Sequence, residues 1–124
     1  MGRKRREKHG GNPGWHGRVW LEGDEGTFIG YGRAVLLEKI QATGSIAGAA
    51  KEMSMSYRHA WQLVESMNRQ AGGPVVRTSR GGKGGGGAEL TPTGRELLAL
   101  FWRVEKKMAQ FLARETAAWR GARR

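Results

Sequence analysis

The chain has no cysteine among its 124 residues and contains only three histidines. The missing thiols exclude a disulfide scaffold, a zinc site with cysteine ligands and thiol catalysis. There is no run of about 18 apolar residues, so the sequence contains no candidate transmembrane helix. The basic N-terminus is followed by no apolar segment, which argues against a secretory signal. We therefore expect a cytoplasmic protein with no membrane partner.

Catalytic residue patterns are missing as well. His9 and His16 lie near the N-terminus, and His59 lies in a predicted helix far along the sequence. None of the three has a neighbour at the spacing of a metal site or a catalytic triad. The sequence therefore predicts no metal, no cofactor and no enzymatic activity.

Positive charge is present in excess. Lysine and arginine number 22 against 11 acidic residues, and the net charge of +11 favours a polyanionic partner. Residues 1–16 have a net charge of +4 and few apolar side chains to bury, which predicts a disordered basic arm. Residues 119–124 have a net charge of +3 and are predicted to be a basic tail. One domain remains at residues 17–118, and its own excess of +4 lies entirely between residues 56 and 88.

Two short amphipathic helices follow each other in this domain. Before them, residues 18–22 and 27–29 are typical of short strands, and residues 31–42 of a first helix. Ser45 and Ser56 can each cap a helix whose apolar residues recur at helical spacing. Two such helices joined by a short connection are typical of a helix-turn-helix, although an ordinary helical hairpin has the same periodicity.

The next segment is typical of a wing. Residues 75–79 form a β-branched strand, residues 80–87 a glycine-rich loop, and residues 88–90 a second extended piece. Thr91 then caps a last helix with Pro92 in its first position, and we predict that this helix ends near Ala118. The predicted fold class is mainly α with a small β wing: a winged helix-turn-helix with a long C-terminal dimerisation helix.

The long helix carries an apolar heptad seam that exceeds what a small domain can cover. We predict that part of this seam packs on a second copy of the chain, next to an apolar residue of the first helix. The predicted dimerisation residues are Val35, Leu97, Phe101, Val104, Met108 and Phe111.

The outward face of the second helix of the pair offers hydrogen-bonding side chains. Guanidinium and carboxamide groups pair with guanine and adenine edges in the major groove, although most faces of this kind are simply solvated. The glycine loop is either a flexible linker or a wing tip whose backbone approaches the sugar-phosphate closely. The predicted DNA-binding residues are Ser45, Ser56, Tyr57, Arg58, His59, Gln62, Arg69, Arg80, Lys83 and Gly84.

Two stretches form a specific combination. One is MSYRHAW at 55–61, preceded by GSI at 44–46, and the other is RGGKGGGGA at 80–88, followed by LT at 90–91. Together they resemble the N-terminal DNA-binding domain of the ModE family of molybdate-responsive bacterial regulators, and more distantly the LysR-type winged helix. The resemblance implies a homodimer that binds palindromic operator DNA, with Tyr57 and Arg58 at the groove.

The resemblance has one departure. Full-length members continue into molybdate-binding domains, whereas this sequence ends at Arg124, so we expect no direct binding of molybdate. The sequence thus predicts a nucleoid-associated, homodimeric transcriptional regulator that binds double-stranded DNA sequence-specifically.

A small basic RNA-associated protein is the alternative. Such a protein would stack exposed aromatic side chains on bases. The candidate stacking residues are Trp15, Trp20, Tyr31, Trp61, Trp102 and Trp119, of which Trp61 and Trp102 are predicted to belong to the core.

Overall fold

The computed structural model describes residues 13–80 and 86–122. Within these ranges, two hairpins and four helices form a winged helix-turn-helix with a long C-terminal helix, as predicted. The elements are β1 (Leu21–Gly23), β2 (Gly26–Ile29), α1 (Tyr31–Thr43), α2 (Ile46–Glu52), α3 (Tyr57–Gln70), β3 (Val76–Ser79), β4 (Gly87–Leu90) and α4 (Pro92–Ala122). None of the helices in the two described ranges is long and apolar enough to span a bilayer.

The first hairpin begins later than the sequence predicts. β1 and β2 pair antiparallel, with Leu21 opposite Ile29 and Gly23 opposite Gly26. Gly26 closes the turn with a φ of 97°, a left-handed conformation that favours glycine. Residues 18–20, where we predicted the strand to begin, are not part of it, and Val19 and Trp20 lie beside α4.

Caps set the boundaries of the central helices. α1 ends where Gly44 adopts a φ of 79° and donates its N–H to the Ile40 carbonyl over 2.8 Å. The Ser45 Oγ accepts a hydrogen bond from the Gly48 N–H at 2.8 Å, and the Ser56 Oγ accepts one from the His59 N–H at 3.0 Å. Both serine caps are confirmed, and they leave only a short turn between α2 and α3.

The hydrophobic core surrounds α1. Leu36, Leu37 and Ile40 of this helix are fully buried, because α2, the hairpins and α4 pack around them. The remaining buried apolar residues are Ile29, Ala34, Ile46, Ala49, Ala50, Ala60, Val64, Met67, Val75, Val76, Ala88, Leu90, Leu98 and Phe101. Helices of 7 and 14 residues, such as α2 and α3, are marginal alone, so this packing is what stabilises them.

The wing is hydrogen-bonded to the helix-turn-helix. β3 and β4 pair antiparallel from Val76 opposite Leu90 to Ser79 opposite Gly87. The Ala88 N–H donates to the Gly44 carbonyl at 2.8 Å, which fixes β4 beside the start of α2. The tip of the wing, residues 81–85, lies outside the described residues.

α4 extends four residues beyond the predicted end at Ala118, to Ala122. Its cap is Thr91, whose Oγ1 accepts from the Gly94 N–H at 3.0 Å and donates to the Pro74 carbonyl at 2.8 Å. A helix of 31 residues is about 46 Å long, so α4 reaches well past the core.

Residues 13–17 lie along the far part of α4. The Trp15 N–H donates to the Thr116 Oγ1 at 2.8 Å, and Gly17 lies against the side chains of Leu112 and Met108. Residues 13–15, which we assigned to the basic arm, therefore contact this helix, since Arg120 also donates to the Pro13 carbonyl and Gly14 lies beside Thr116. Residues 1–12 of the arm and the last two residues of the tail lie outside the described residues.

Candidate nucleic-acid interface

The first turns of α3 present the exposed polar side chains that the sequence predicts. Ala60, Val64 and Met67 are buried on one side of this helix. Tyr57, Arg58, His59 and Gln62 consequently face solvent at its N-terminal end, where Ser56 is exposed as well. The structure brings these five predicted residues together on one surface. We call this surface the α3 face, and it consists of Ser56, Tyr57, Arg58, His59 and Gln62.

Ser45 lies apart from this face. Its side chain is half-buried and caps α2, and its carbonyl accepts a hydrogen bond from the Thr43 hydroxyl at 3.0 Å. The structure therefore gives Ser45 a role in starting the first helix of the motif. A direct contact of this serine with DNA stays a prediction.

Arg69 has an acidic partner that the sequence does not reveal. Its Nη2 lies 3.0 Å from the Glu25 Oε1, and its Nε lies 3.3 Å from both carboxylate oxygens. This hydrogen bond and the positive charge lower the pKa of Glu25 and, in return, raise the pKa of Arg69. Arg69 is also eleven residues, or about 16 Å, along α3 from Arg58. It points to the β1–β2 turn and not to the α3 face.

A polar cluster next to this ion pair fastens α3 to the hairpin. The Gln70 amide donates to the Thr27 carbonyl and to the Ser66 Oγ, both at 3.0 Å. Arg33 of α1 donates to the same Ser66 hydroxyl at 3.0 Å and to the Phe28 carbonyl at 3.3 Å. Burial lowers the pKa of Arg33. Sequence reasoning missed this cluster, because its members lie far apart in the chain.

Asn68 joins α3 to the wing, and it too was missed as a structural contact. Its Oδ1 accepts from the backbone N–H groups of Val75 and Val76 at 2.7 and 3.2 Å. This amide therefore holds β3 against α3. Arg80, the predicted phosphate contact at the end of this strand, is exposed. Lys83 and Gly84, the other two predicted wing residues, lie outside the described residues.

Trp61 corrects one sequence expectation. We predicted that it belongs to the core, yet 43% of it is exposed. It lies one helical turn from the exposed Tyr57, so it extends the α3 face by a second aromatic ring. Trp102, for which the same expectation was made, does pack against the core, with edge-on contacts to Tyr31 and Phe101.

The predicted dimerisation seam of α4 divides into two parts. Phe101 is buried in the core of its own chain, and Leu97 is half-buried against that core. Met108 is half-buried beside Gly17, and Val35 of α1 is half-buried. Only Val104 and Phe111 of the predicted set are substantially exposed, at 40% and 51%. The seam therefore packs on the core at Leu97 and Phe101 and beside residues 13–17 at Met108, because residues 13–17 cover one flank of the helix.

An exposed apolar stripe remains on the other flank of α4. It consists of Leu100, Val104 and Phe111, which recur at steps of four and seven residues. A shallow groove of about 130 Å³ beside it is lined by Trp20 and Leu21, which are exposed as well. We call these five residues the α4 face. Sequence reasoning missed Leu100. It is not part of the predicted seam, but it would be if the heptad pattern were moved by one residue, from Phe101 to Leu100.

No metal site is evident in residues 13–80 and 86–122, which contain no group of three possible ligand side chains.

Known proteins resemble this chain in sequence and in fold. No family model matches. The molybdenum-pterin-binding protein MopB of Rhodobacter capsulatus is 41% identical over 104 residues, which cover 84% of this chain and 38% of that protein. The DNA-binding transcriptional dual regulator ModE of Escherichia coli K12 is 42% identical over 69 residues, which cover 56% of this chain and 26% of that protein. The resemblance to ModE proteins is thus confirmed.

Two solved structures share the fold. The CbnR DNA-binding domain in its complex with DNA superposes with a TM-score of 0.54 at 20% identity, over 77% of this chain and all of that one. ArgP from Mycobacterium tuberculosis superposes with a TM-score of 0.51 at 20% identity, over 71% of this chain and 31% of that one. Both similarities confirm the winged-helix fold. The chain spans between about a quarter and two fifths of the curated relatives cited above.

Proposed function

We propose that this chain is a DNA-binding transcription regulator that acts as a homodimer. The observation that carries the proposal is the α3 face, a cluster of hydrogen-bonding side chains at the capped start of the second helix of a winged helix-turn-helix. Relatives named as transcriptional regulators, such as ModE of Haemophilus influenzae at 42% identity, support a regulator in preference to an enzyme.

The α3 face has the chemistry of major-groove recognition. Arg58 and Gln62 are one helical turn apart, and their groups match the hydrogen-bonding edges of guanine and adenine. Tyr57, His59 and Ser56 lie at the helix N-terminus, where hydroxyl, imidazole and backbone N–H groups suit phosphate oxygens. In this proposal, bases are contacted by Arg58 and Gln62, and the surrounding residues set the position of the helix.

The wing would supply contacts that do not depend on sequence. Arg80 is exposed at the end of β3, and Lys83 and Gly84 follow it in the chain. Cations neutralise phosphates and release counterions, which contributes affinity for any duplex. Because Glu25 holds Arg69, we assign Arg69 the task of positioning α3, together with Asn68, in place of a direct DNA contact.

A second copy of the chain would cover the α4 face. Leu100, Val104 and Phe111 form an apolar stripe on a long helix, and exposed stripes of this kind mark interaction surfaces. Leu97, Phe101, Met108 and Val35 would support the stripe from within each copy. A two-fold axis through this face would set the spacing of two DNA half-sites.

We also propose that the chain binds no molybdate and needs no cofactor. The hydroxyl groups of Ser45, Ser56 and Thr91 stand at helix starts, where oxyanions bind most readily. At each start, one backbone N–H that an oxyanion could use is already donated to the capping oxygen. Thr91 is in addition buried, donates its own O–H to the Pro74 carbonyl, and precedes Pro92, which has no N–H.

Selection of bound DNA from a random duplex library tests the proposal. We expect a two-fold symmetric consensus whose affinity is unchanged by added molybdate. Arg58→Ala should cost about 1–3 kcal/mol on the selected site and relax one position in each half-site, whereas Lys83→Ala should weaken all sequences alike. The exposed Arg18 offers a matched control, because Arg18→Ala removes a charge outside α3 and the wing. Identical profiles for the Arg58 and Lys83 variants would contradict the assignment.

Sedimentation of the same protein tests the dimer. Phe111→Asp places a charge on the α4 face and should yield a folded monomer. Ala109→Asp is the control, since Ala109 is exposed on the same helix about 200° away from Phe111. A wild-type chain that sediments as a monomer at micromolar concentration would contradict the homodimer.

A further inference from the structure

In the described part of the helix-turn-helix and the wing, two large apolar side chains are exposed, and both lie on α3. Ten such side chains are exposed in all of residues 13–80 and 86–122. Eight of them belong to residues 13–31 or to α4, and the other two are Tyr57 and Trp61. Apolar side chains scattered singly over a surface are ordinary. Two aromatic rings that meet at the proposed DNA contact need a reason of their own.

The two rings differ in what they offer to DNA. Tyr57 lies in the first turn of α3 and carries a hydroxyl group, which suits a phosphate oxygen. Trp61 lies one turn further along the helix, and 43% of it is exposed. Among the described residues, its indole has no ring contact and no hydrogen bond. Contacts within the chain therefore do not explain the exposed part of this side chain.

Helical geometry places Trp61 beside the residues that we assign to base contacts. At about 100° per residue, it lies about 60° around α3 from Arg58, on the side away from Gln62. Along the helix axis it lies about 4.5 Å beyond Arg58, which is close to the roughly 3.4 Å rise of one base step. With Arg58 and Gln62 in the major groove, the indole would therefore lie at the edge of a neighbouring base pair.

The major groove offers one kind of apolar group to such a side chain. Bases in a duplex are stacked on each other, so their faces are not available to a ring. Their edges present hydrogen-bond donors and acceptors and, on thymine alone among the four bases, a C5 methyl group. An apolar ring at the edge of a base pair therefore favours thymine.

We propose that Trp61 is a specificity-determining residue, whose indole contacts the methyl group of a thymine beside the base that Arg58 contacts. This contact rests on the proposed recognition of duplex DNA and adds to it a direct preference for one base. Arg58 and Gln62 recognise hydrogen-bonding edges, whereas Trp61 recognises an apolar group. Tyr57, which is nearer the helix N-terminus, stays assigned to the phosphates.

Replacement of thymine by uracil in the selected duplex tests this contact. Deoxyuridine keeps the base pairing of thymidine and lacks only the methyl group. Each thymine of one half-site is replaced in turn, and binding of the labelled duplex is followed by fluorescence anisotropy. With the unaltered protein, one of these replacements should weaken binding about 4-fold, the contribution of one buried apolar carbon group.

Variants connect the uracil effect to this side chain. Trp61→Ala should weaken binding of the thymine duplex and bind the thymine and uracil duplexes alike. Trp61→Phe keeps a ring and should retain part of the uracil effect, and Arg58→Ala should relax the neighbouring base pair and leave that effect in place. Trp15→Ala is the matched control, because Trp15 is an exposed tryptophan beside Thr116, about 36 Å along α4 from Pro92.

The test does not depend on one variant. The uracil series is measured first on the unaltered protein, and far-ultraviolet circular dichroism shows whether each variant keeps its helices. Trp61→Gln is a second way to remove the apolar ring, with a residue of good helix propensity, and it should abolish the uracil effect as Trp61→Ala does.

Two results would overturn the Trp61 contact and leave the proposed regulator standing. One is a selected site in which every thymine can be replaced by uracil without loss of affinity. The other is a uracil effect of the same size in the wild type and in Trp61→Ala. Failure of the proposed function has a different signature, because the random duplex library would then yield no consensus, and the Trp61 contact would be contradicted with it.

Discussion

Residues 13–102 and residues 103–122 differ in how they are held. The first region contains every buried apolar side chain of the described chain and is nearly neutral. In the second region, none of the described residues is buried, and cations exceed anions by three. Burial of apolar area is the main stabilising contribution to a fold, so the first region contains the interactions that stabilise the chain. The second region is a helix that residues 13–17 cover along one flank.

The heptad seam shows what this difference means for the sequence. Its apolar residues recur without a break from Leu97 to Phe111, although their surroundings change completely at Phe101. Before that residue the seam belongs to the core of one chain, and after it the seam is shared between residues 13–17 and solvent. Periodicity identifies an apolar side of a helix but not the surface that covers it.

The largest expected effect comes from truncating one leucine in each region. Leu36 is fully buried at the centre of the core, so Leu36→Ala should cost about 2–5 kcal/mol of unfolding free energy. Leu112 is half-buried under Gly17, and Leu112→Ala should cost about 1 kcal/mol or less because most of its surroundings can relax. Urea unfolding at one protein concentration measures both. Equal losses would show that the distal half of α4 belongs to the same core.

Two glycines of α4, one in each region, allow the same comparison with a smaller expected change in stability. A Cβ at Gly94 would overlap the Val75 carbonyl oxygen, which cannot move away easily because it also accepts a hydrogen bond from the Thr91 N–H at 3.0 Å. Gly94→Ala should therefore destabilise by about 1–3 kcal/mol.

Gly121→Ala is the matched change at the other end of the same helix. Nothing lies within 4 Å of a Cβ at Gly121, so alanine should be neutral or stabilise by up to about 1 kcal/mol through its better helix propensity. Thermal unfolding of both variants compares the two positions. A Gly94→Ala variant as stable as the wild type would mean that α4 can shift relative to Val75 and β3. That result would contradict the close contact between Gly94 and the Val75 carbonyl.

Local chemistry is what the sequence predicts well. The caps at Ser45, Ser56 and Thr91 are confirmed, because a cap depends on a hydroxyl and on backbone within three residues. The exposed side of α3 follows from helical periodicity, which needs only the order of apolar residues. The core position predicted for Trp61 is wrong, since this side chain is 43% exposed on α3.

Contacts between distant segments could not be predicted in the same way. The order of residues in α3 predicts Arg69 as a DNA-binding residue together with Arg58, but its partner Glu25 is 44 residues away in the sequence. The N-terminal segment packs on α4 through the backbone N–H of Trp15 and the small residue Gly17, and neither produces an apolar pattern. Such contacts depend on the topology of the folded chain, and local residue patterns in a single sequence do not predict them.

The smallest expected effect concerns the Glu25–Arg69 ion pair, a surface contact within the region that burial already stabilises. Because Arg69 lowers the pKa of Glu25, the folded state favours the charged carboxylate more than the unfolded state does. The stabilisation is therefore present at neutral pH and is lost as the pH falls through the pKa of Glu25 in the folded protein. Exposed pairs of this kind contribute little to stability, so the readout is the titration itself.

Arg69→Ala should raise the pKa of Glu25 toward the ordinary range of a glutamate, measured by NMR titration of its side-chain carboxyl carbon. Raising the salt concentration should move the wild-type value in the same direction, because both charges are partly exposed and are screened. Glu25→Gln provides the control, since its unfolding free energy should lack the acid-dependent step that the wild type shows near the folded-state pKa of Glu25. The Gln70 contacts with Thr27 and Ser66 remain in both variants and should keep α3 attached to the hairpin. A Glu25 titration that is identical with and without Arg69 would mean that the pair does not persist in solution, and Arg69 would then be available to contact DNA.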